Sequence, residues 1–233
     1  MMENISDWPP WTRELFDGDF ISKIVEIATL KDYRKGEIIY CQGDKNEKVF
    51  FLLKGRVEVS IINNDGKKRI LSIHEPYCFV GETILDGFSY MTTAYCLSDV
   101  RIAVLEMSTI LGSKDNLILT ALLKSLVLKM RILMSLIQKE TFEVSDRVES
   151  LLYSLGIRFG EKNSEGIILN LPLTHQLIAD LVGCSRVRVS QTMKDLKNDK
   201  RVVKKSNKLY MLPVQKPLEH LPKLILRETT GRY

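Results

Sequence analysis

Cysteine and histidine are scarce in this 233-residue chain, and neither type is clustered. No two of the four cysteines lie closer than 18 residues apart, and no Cys-x-x-Cys occurs. This spacing argues against a zinc ribbon, an iron–sulfur cluster and a thioredoxin-type redox pair. The three histidines are also far apart in sequence, and no Ser-His-Asp spacing, P-loop or Gly-x-Gly-x-x-Gly is present. We therefore expect no metal site, no bound cofactor and no enzyme activity.

Long hydrophobic runs are absent as well. The longest stretch without an acidic or basic residue has 14 residues, Gly166 to Ala179, and Pro172 interrupts it. A membrane-spanning helix needs roughly 18 or more apolar residues. The N-terminus has no basic start followed by an apolar core, as a signal peptide would. We expect a cytoplasmic protein with no membrane contact and no disulfide framework.

Charge is unevenly distributed along the chain. Residues 145–233 carry 16 Lys and Arg against 9 Asp and Glu, a net charge of +7, whereas residues 1–144 have a net charge of −2. Such an asymmetry indicates that the C-terminal part meets a polyanion. The alternative is a basic surface with no partner.

Residues 30–108 have the pattern of a β domain. Runs rich in Val, Ile and Phe are separated by glycines at positions 36, 43, 55 and 66. The Asp65-Gly66 pair predicts a hairpin turn, because both residues tolerate a positive φ. The run RVEVSI alternates apolar and polar residues, which predicts one solvent-exposed face. Several short strands at this spacing are typical of a β-barrel or sandwich.

Residues 116–143 contain no Gly or Pro and predict one long helix. Its apolar positions recur in alternating steps of four and three residues, as in a coiled coil. The stripe comprises Leu119, Leu123, Leu126, Met130, Leu133 and Ile137. It packs either on its own β domain or on the same helix of a second chain. We favour a homodimer, with Leu122, Ile132 and Leu136 facing the β domain and a hinge near residues 141–145.

Residues 172–197 have the pattern of a helix-turn-helix. Thr174 and Ser185 are each placed to cap a helix, and Gly183 supplies the turn residue that tolerates a positive φ. The second helix, residues 186–197, buries an apolar side. Its other side presents Arg186, Arg188, Ser190, Gln191 and Lys194. This places basic and amide side chains where such a helix enters the major groove of DNA.

The segment after the second helix predicts a hairpin wing. A strand, a polar turn and a second strand follow in the sequence KRVVKKSNKLYML. Lys204, Lys205 and Lys208 are placed to contact phosphates. The alternative to a DNA-binding motif is a pair of packed helices in an unrelated domain, which the basic wing disfavours.

The whole chain resembles the Crp/Fnr family of bacterial transcription regulators. The resemblance is carried, in order, by KGEIIYCQGDKNEKVFFLLKGRVEVSI, DGKKRILSI, FVGETIL and IADLVGCSRVRVSQTMKDLK. It implies an α+β fold with three parts: a cyclic-nucleotide-binding-type β-roll at 1–115, a dimerisation helix at 116–144 and a winged helix-turn-helix at 145–233. The implied partners are palindromic double-stranded DNA, a second copy of the chain, RNA polymerase and a small effector.

The same resemblance places base contacts on the second helix of the motif, at Arg186, Val187, Ser190 and Gln191. The best-known members have Glu at the position of Val187 and Arg at that of Gln191. Arginine reads guanine, valine contacts a thymine methyl and glutamine favours adenine. We therefore predict a palindromic site richer in A·T than that of the cyclic-AMP receptor.

The residues at the positions that bind cyclic AMP in relatives do not fit that ligand. Glu82 matches the residue that bonds the ribose hydroxyl, but Thr92 and Thr93 stand where relatives have the phosphate-binding Arg and Ser. Ile132 and Leu133 replace an adenine-contacting Thr-Ser pair. Threonine cannot provide the charge-assisted pairing that a cyclic phosphate requires.

The residues with which other members of the family sense oxygen or bind haem are also missing from this sequence. No cysteine cluster precedes Cys41, as an oxygen sensor would need, and His74 stands alone as a haem ligand, so we expect it at the surface or at a strand end. The remaining expectation is a small aromatic or organic molecule, held as an acid by Lys129 or Arg131. The predicted lining is Gly81, Glu82, Ile84, Leu85, Tyr90, Thr92, Thr93, Lys129, Met130 and Leu133.

Several alternatives stay open. The pocket is either a ligand site or filled by its own side chains. The regulator responds either to this small molecule or to a cyclic nucleotide or thiol redox state, through Cys41 or Cys184. Outside this family, the rivals are a cupin-like β-roll enzyme and an interaction module that binds no DNA.

Overall fold

The computed structural model describes residues 11–12, 16–113, 116–171, 173–206 and 209–213. The chain divides into two compact units, one within Pro9–Leu136 and the other from Ile137 onward. The α+β architecture expected from the sequence is confirmed: a β-rich unit is followed by helices and a small sheet.

The first unit contains two β-sheets. The five-stranded sheet has the order β1 (Trp11–Thr12), β6 (Lys68–His74), β5 (Val57–Ile62), β8 (Thr93–Cys96) and β3 (Ile38–Tyr40). The four-stranded sheet has the order β2 (Thr29–Tyr33), β9 (Val100–Glu106), β4 (Lys48–Lys54) and β7 (Phe79–Val80). All described strand pairs of this unit are antiparallel except β1–β6. The helices are α1 (Gly18–Ile27), a 3-10 helix (Glu82–Asp86), α2 (Met107–Gly112) and α3 (Leu117–Lys139).

The core of this unit draws side chains from both sheets and from α1 and α3. Phe51 and Phe79 are fully buried, with ring centroids 4.9 Å apart in an edge-on arrangement. The predicted turn at Asp65-Gly66 joins β5 to β6, and Gly66 has φ +77°. Both rings belong to the four-stranded sheet, one on β4 and the other on β7. Fully burying one large apolar side chain contributes about 1.5–3 kcal/mol, so the pair stabilises the core on this sheet.

Strand β5 departs from the sequence-based expectation of a solvent-exposed face. Glu58 and Ser60, its polar alternate residues, are both buried. The strand is central in its sheet, and Ile73 and Tyr95 lie directly opposite Glu58 on the two neighbouring strands. The carboxylate forms an ion pair with Lys68. The expectation was wrong because cross-strand neighbours cover both sides of Glu58.

Helix α3 ends four residues earlier than predicted. On one side Ile118, Leu122 and Leu136 are buried, and Ile132 is half-buried. The predicted apolar stripe is exposed at four positions and half-buried at Leu119 and Leu126. The exposed members are Leu123, Met130, Leu133 and Ile137. A large apolar face therefore remains accessible along this helix.

The second unit packs three helices on a four-stranded antiparallel sheet. The helices are α4 (Val144–Phe159), α5 (His175–Val182) and α6 (Arg186–Asn198). The sheet has the order β10 (Glu161–Lys162), β11 (Gly166–Asn170), β13 (Leu209–Pro213) and β12 (Val203–Ser206). Val148, Leu151, Leu152 and Leu155 of α4 are buried, and this helix packs against α5, α6 and β11. The predicted helices of this region and its terminal hairpin are confirmed.

Candidate functional sites

The turn between α5 and α6 is fixed by local hydrogen bonds that the sequence predicts. Thr174 Oγ1 accepts from the Leu177 N–H at 3.0 Å, and Ser185 Oγ accepts from the Arg188 N–H at 3.2 Å. Gly183 has φ +76° and donates its N–H to the Ala179 carbonyl. These caps satisfy otherwise orphaned donors at each helix start and set the angle between the helices.

Helix α6 has two distinct faces. Val189, Thr192, Met193 and Leu196 are buried against the rest of the unit. Arg186, Val187, Arg188, Gln191 and Lys194 are exposed, and Val187 is 79% exposed. An apolar side chain left this accessible on a helix suits contact with a partner.

The cations of this exposed face have no acidic partner within the described part of the chain. No ion pair or side-chain hydrogen bond forms at Arg186, Arg188 or Lys194 among those residues. Gln191 Nε2 donates to Asp195 Oδ1 at 2.9 Å. As far as the described residues go, the three positive charges are thus available to an anionic partner.

Ser190 occupies a different environment from its neighbours. It is half-buried, and its hydroxyl donates to the Arg186 carbonyl. His175 Nδ1 lies 2.9 Å from Ser190 Oγ, within hydrogen-bond distance. This bond ties α6 to the first residue of α5. Sequence reasoning missed His175, because residues 15 apart on two helices share no periodic signal.

The wing is anchored by a buried ion pair. Arg201 Nε donates to Glu149 Oε1 at 2.8 Å, and Glu149 is fully buried on α4. Burial lowers the pKa of the Arg201 guanidinium. Lys204 and Lys205 lie on β12, but their side chains and the whole of Lys208 fall outside the described residues. The predicted phosphate contacts of the wing therefore stay predictions.

The first unit contains a cavity of about 90 Å³ between the strands and α3. Its lining is Tyr40, Val59, Leu71, Ser72, His74, Val80, Gly81, Glu82, Thr83, Thr92, Lys129, Ile132 and Leu133. The structure thus brings together five of the predicted effector residues: Gly81, Glu82, Thr92, Lys129 and Leu133.

The other five predicted residues lie outside this lining: Ile84, Leu85, Tyr90, Thr93 and Met130. Ile84 and Leu85 pack in the core. The Tyr90 hydroxyl donates to the backbone of β4, and burial raises its pKa to about 12. Thr93 Oγ1 accepts a backbone N–H from the segment after β3. Met130 is exposed and does not line the cavity, although it lies on the same face of α3 as Leu133.

A buried charged pair crosses the cavity wall. Glu82 is 2% exposed, and its Oε1 accepts from both Ser125 Oγ, at 2.7 Å, and Lys129 Nζ. Lys129 Nζ also donates to the Phe79 carbonyl at 2.6 Å. The pair joins α3 to the 3-10 helix, and each charge neutralises the other. Arg131, the other predicted anion holder, is exposed and does not line the cavity.

The remaining polar groups of the lining are uncharged. His74 is at the end of β6 as expected, but it is wholly buried rather than at the surface, and its Nε2 lies 2.8 Å from Ser72 Oγ. Burial, reinforced by the charge of Lys129, holds the pKa of His74 well below its usual 6.5. The Thr83 hydroxyl is buried and has no hydrogen-bond partner among the described residues.

Glycine at position 81 is required by the turn that carries Glu82. Its φ is +83°, and a Cβ there would lie 3.2 Å from the rings of Phe50, Tyr40 and Tyr90. A larger residue would push the 3-10 helix away from the cavity.

Two family profiles match the chain in the order of its two units. The profile described as "Cyclic nucleotide-binding domain" matches residues 30–112, and the one described as "Crp-like helix-turn-helix domain" matches residues 146–216. The chain belongs to the Crp/Fnr family. This regulator is therefore a DNA-binding transcription protein with an effector-type β domain, and not an enzyme.

Curated relatives agree with this membership. The global nitrogen regulator of Nostoc sp. is 29% identical over 181 residues, which cover 74% of this chain and 80% of that protein. The CRP-like cAMP-activated global transcriptional regulator of Mycobacterium tuberculosis is 25% identical, over 70% of this chain and 75% of that protein.

Solved structures share the fold of this Crp/Fnr regulator. The c-di-GMP responsive regulator CLP of Xanthomonas campestris has a TM-score of 0.76 at 20% identity, covering 85% of this chain and all of that chain. CprK, solved in complex with OCPA, has a TM-score of 0.67 at 20% identity, covering 87% of this chain and 93% of that chain.

Two further findings bear on expectations from the sequence. Within the described residues, no helix is long and apolar enough to cross a membrane. None of the four cysteines, all of which are described, forms a disulfide, and burial raises the pKa of Cys96 to about 11.

Proposed function

We propose that this Crp/Fnr regulator works as a homodimer that binds palindromic DNA under the control of a small effector in the cavity. The observation that carries the proposal is the exposed face of α6, whose three cations meet no acidic side chain among the described residues. Phosphate oxygens supply the missing counter-charge, and base edges are read from the same face. Because its target is chromosomal DNA, we place its action in the cytoplasm.

The exposed apolar face of α3 supports dimerisation. Leu123, Val127, Met130 and Met134 are each about half exposed or more. A helix that keeps such a stripe accessible gains stability by burying it against an identical helix. A twofold dimer would then present two α6 helices to half-sites one turn of DNA apart, about 34–36 Å.

Base preference follows from the exposed side chains. Arg186 favours guanine, Val187 a thymine methyl and Gln191 adenine. Gln191 would release Asp195 to do so, which makes its contact weaker than one from a side chain with no internal partner. The proposed target is a palindrome richer in A·T than the site of the cyclic-AMP receptor, from which the bound dimer contacts RNA polymerase.

The cavity is the proposed effector site. One helix, α3, carries both part of its lining, Lys129, Ile132 and Leu133, and the apolar face proposed for dimerisation. A ligand with different affinity for two positions of α3 shifts their populations. The relatives are named for different ligands, cAMP, c-di-GMP and OCPA, so membership of the family does not itself fix the effector.

The test is selection of duplexes from a random DNA pool by the full-length protein, with its mass in solution measured alongside. We expect a dimer that enriches palindromic, A·T-rich sites. The Arg186→Ala/Arg188→Ala variant should stay dimeric and folded but enrich nothing. A monomer that enriches no sequence contradicts the proposal, and a strong preference for TGTGA half-sites contradicts its base assignment.

A further inference from the structure

We propose that the effector is a small uncharged molecule that donates a hydrogen bond to Glu82, of the carboxamide type, and not an organic acid or a cyclic nucleotide. This inference rests on the proposed function, because it names the ligand class of the same cavity. It is carried by three features of the lining: its charge balance, its open polar atoms and its size.

The charge balance excludes a buried anion. Among the described residues that line the cavity, the charged side chains are Glu82 and Lys129, and they neutralise each other. His74, the third ionisable group at this end of the cavity, is held neutral by burial. A carboxylate or phosphate brought out of water needs a positive partner of its own. Here it would meet the carboxylate of Glu82 and a cation that is already paired.

Two polar atoms of the lining are open to a ligand. The Thr83 hydroxyl is buried without a partner among the described residues. Glu82 accepts both of its hydrogen bonds through Oε1, and no described group donates to its Oε2. The buried Thr83 hydroxyl destabilises the protein until a group hydrogen-bonds to it. A carboxamide carries both complementary groups: an N–H that can donate to Glu82 and a carbonyl that can accept from Thr83.

The size of the cavity restricts the ligand further. Benzene, with six non-hydrogen atoms, occupies an apolar protein cavity of about 150 Å³, and the same ratio gives 90 Å³ room for roughly four such atoms. Val59, Leu71, Val80 and Ile132 provide an apolar wall for a short alkyl group. Propionamide, with five non-hydrogen atoms, is near this size and has this polarity, and propionate has the same shape with a negative charge.

The experiment compares propionamide with propionate on the full-length protein, by thermal shift and calorimetric titration. We expect propionamide to raise Tm and to bind at least about tenfold more tightly than propionate, which corresponds to about 1.4 kcal/mol. The Glu82→Gln variant still accepts from Ser125 and Lys129 but removes the negative charge. It should bind propionate more tightly than the wild type does, and so reverse the preference.

Two further variants locate the binding. Thr83→Val should keep or raise the Tm of the unliganded protein, because it removes an unsatisfied hydroxyl, and should weaken propionamide binding several-fold. Glu106→Gln makes the same charge change at an exposed residue of β9, which pairs with Lys48 and does not line the cavity. It should leave the amide-to-acid preference unchanged.

The inference is overturned if propionate stabilises the wild type as much as propionamide does, if propionamide causes no shift, or if Thr83→Val leaves its affinity unchanged. DNA binding by fluorescence anisotropy on the same samples separates the two proposals. Intact DNA binding without amide binding overturns this inference alone, whereas loss of specific DNA binding overturns the proposed function.

Discussion

At the cavity of the first unit, charged side chains are buried and paired, whereas on α6 of the second unit the cations are exposed and face no acid within the described residues. The residue types are similar, but their surroundings differ. A buried pair presents little net charge to a ligand and favours an uncharged one. Exposed cations keep their charge for a partner and favour a polyanion. Under the proposed function, this difference in charge would keep DNA from the cavity and an uncharged effector from α6.

Breaking the buried pair should have the largest effect. Glu82→Leu leaves Lys129 buried without a counter-charge, and we expect a loss of about 3–5 kcal/mol in the free energy of unfolding. Glu82→Leu/Lys129→Met removes both charges and should recover most of this loss. Urea denaturation of the three proteins measures the effect. If the double variant is no more stable than Glu82→Leu, the loss of stability does not come from leaving Lys129 without its counter-charge.

Removing one exposed cation should affect DNA binding and leave stability unchanged. Arg186→Ala is expected to cost about 1–3 kcal/mol of binding free energy for each base that the shortened side chain no longer reaches, and to relax the preference at one position of each half-site. The unfolding free energy should change by less than about 0.5 kcal/mol, as for other surface substitutions. Fluorescence anisotropy on matched and single-mismatch duplexes measures this. Arg34→Ala, at an exposed position of the first unit, is the control that should bind DNA normally.

The same comparison explains which features the sequence could predict. The helix-turn-helix rests on contacts over three or four residues, such as Thr174 with Leu177 and Gly183 with Ala179. Side chains within a few residues of each other therefore predict both helix starts and the turn. The cavity rests on contacts between distant residues, such as Glu82 with Ser125 and Lys129 with Phe79. No local pattern encodes these pairings.

For the cavity, the resemblance to a family supplied what periodicity did not. It located Gly81, Glu82 and Thr92 on the lining through their matched positions. It could not locate His74 or Thr83, because their burial depends on how β6 and the 3-10 helix close over the cavity in this chain. The alternation of apolar and polar residues in β5 wrongly predicted a solvent-exposed face for a related reason. A central strand can bury polar residues between its cross-strand neighbours.

The next effect in size is a pH dependence that arises in the first unit. In the unfolded chain His74 has its ordinary pKa near 6.5, whereas in the folded protein its pKa lies well below that value. Below about pH 6.5 the unfolded state therefore binds a proton that the folded state does not, and the protein loses stability as the pH falls. The expected contribution approaches about 1.4 kcal/mol per pH unit below pH 6.

Urea denaturation at pH 7.5, 6.5 and 5.5 measures this dependence, with His74→Gln as the matched variant. The difference between the wild type and His74→Gln isolates the imidazole from other titrating groups. We expect the variant to have the shallower decline between pH 6.5 and 5.5. Identical slopes would mean that His74 is protonated in the folded protein, and the cavity would then carry a positive charge.

The smallest expected effect distinguishes two kinds of cation on α6. Lys194 lies two turns beyond Arg186, away from the N-terminal end of the helix that reaches the bases, so we expect it to contact a phosphate. Lys194→Gln should weaken binding by less than about tenfold, equally for all sequences. It should also reduce the slope of log K against log salt by about one per subunit. Titrations from 50 to 300 mM salt on specific and random duplexes measure both quantities. A change in sequence preference, with the salt slope unaltered, would instead assign Lys194 to base recognition and extend the reading surface along the helix.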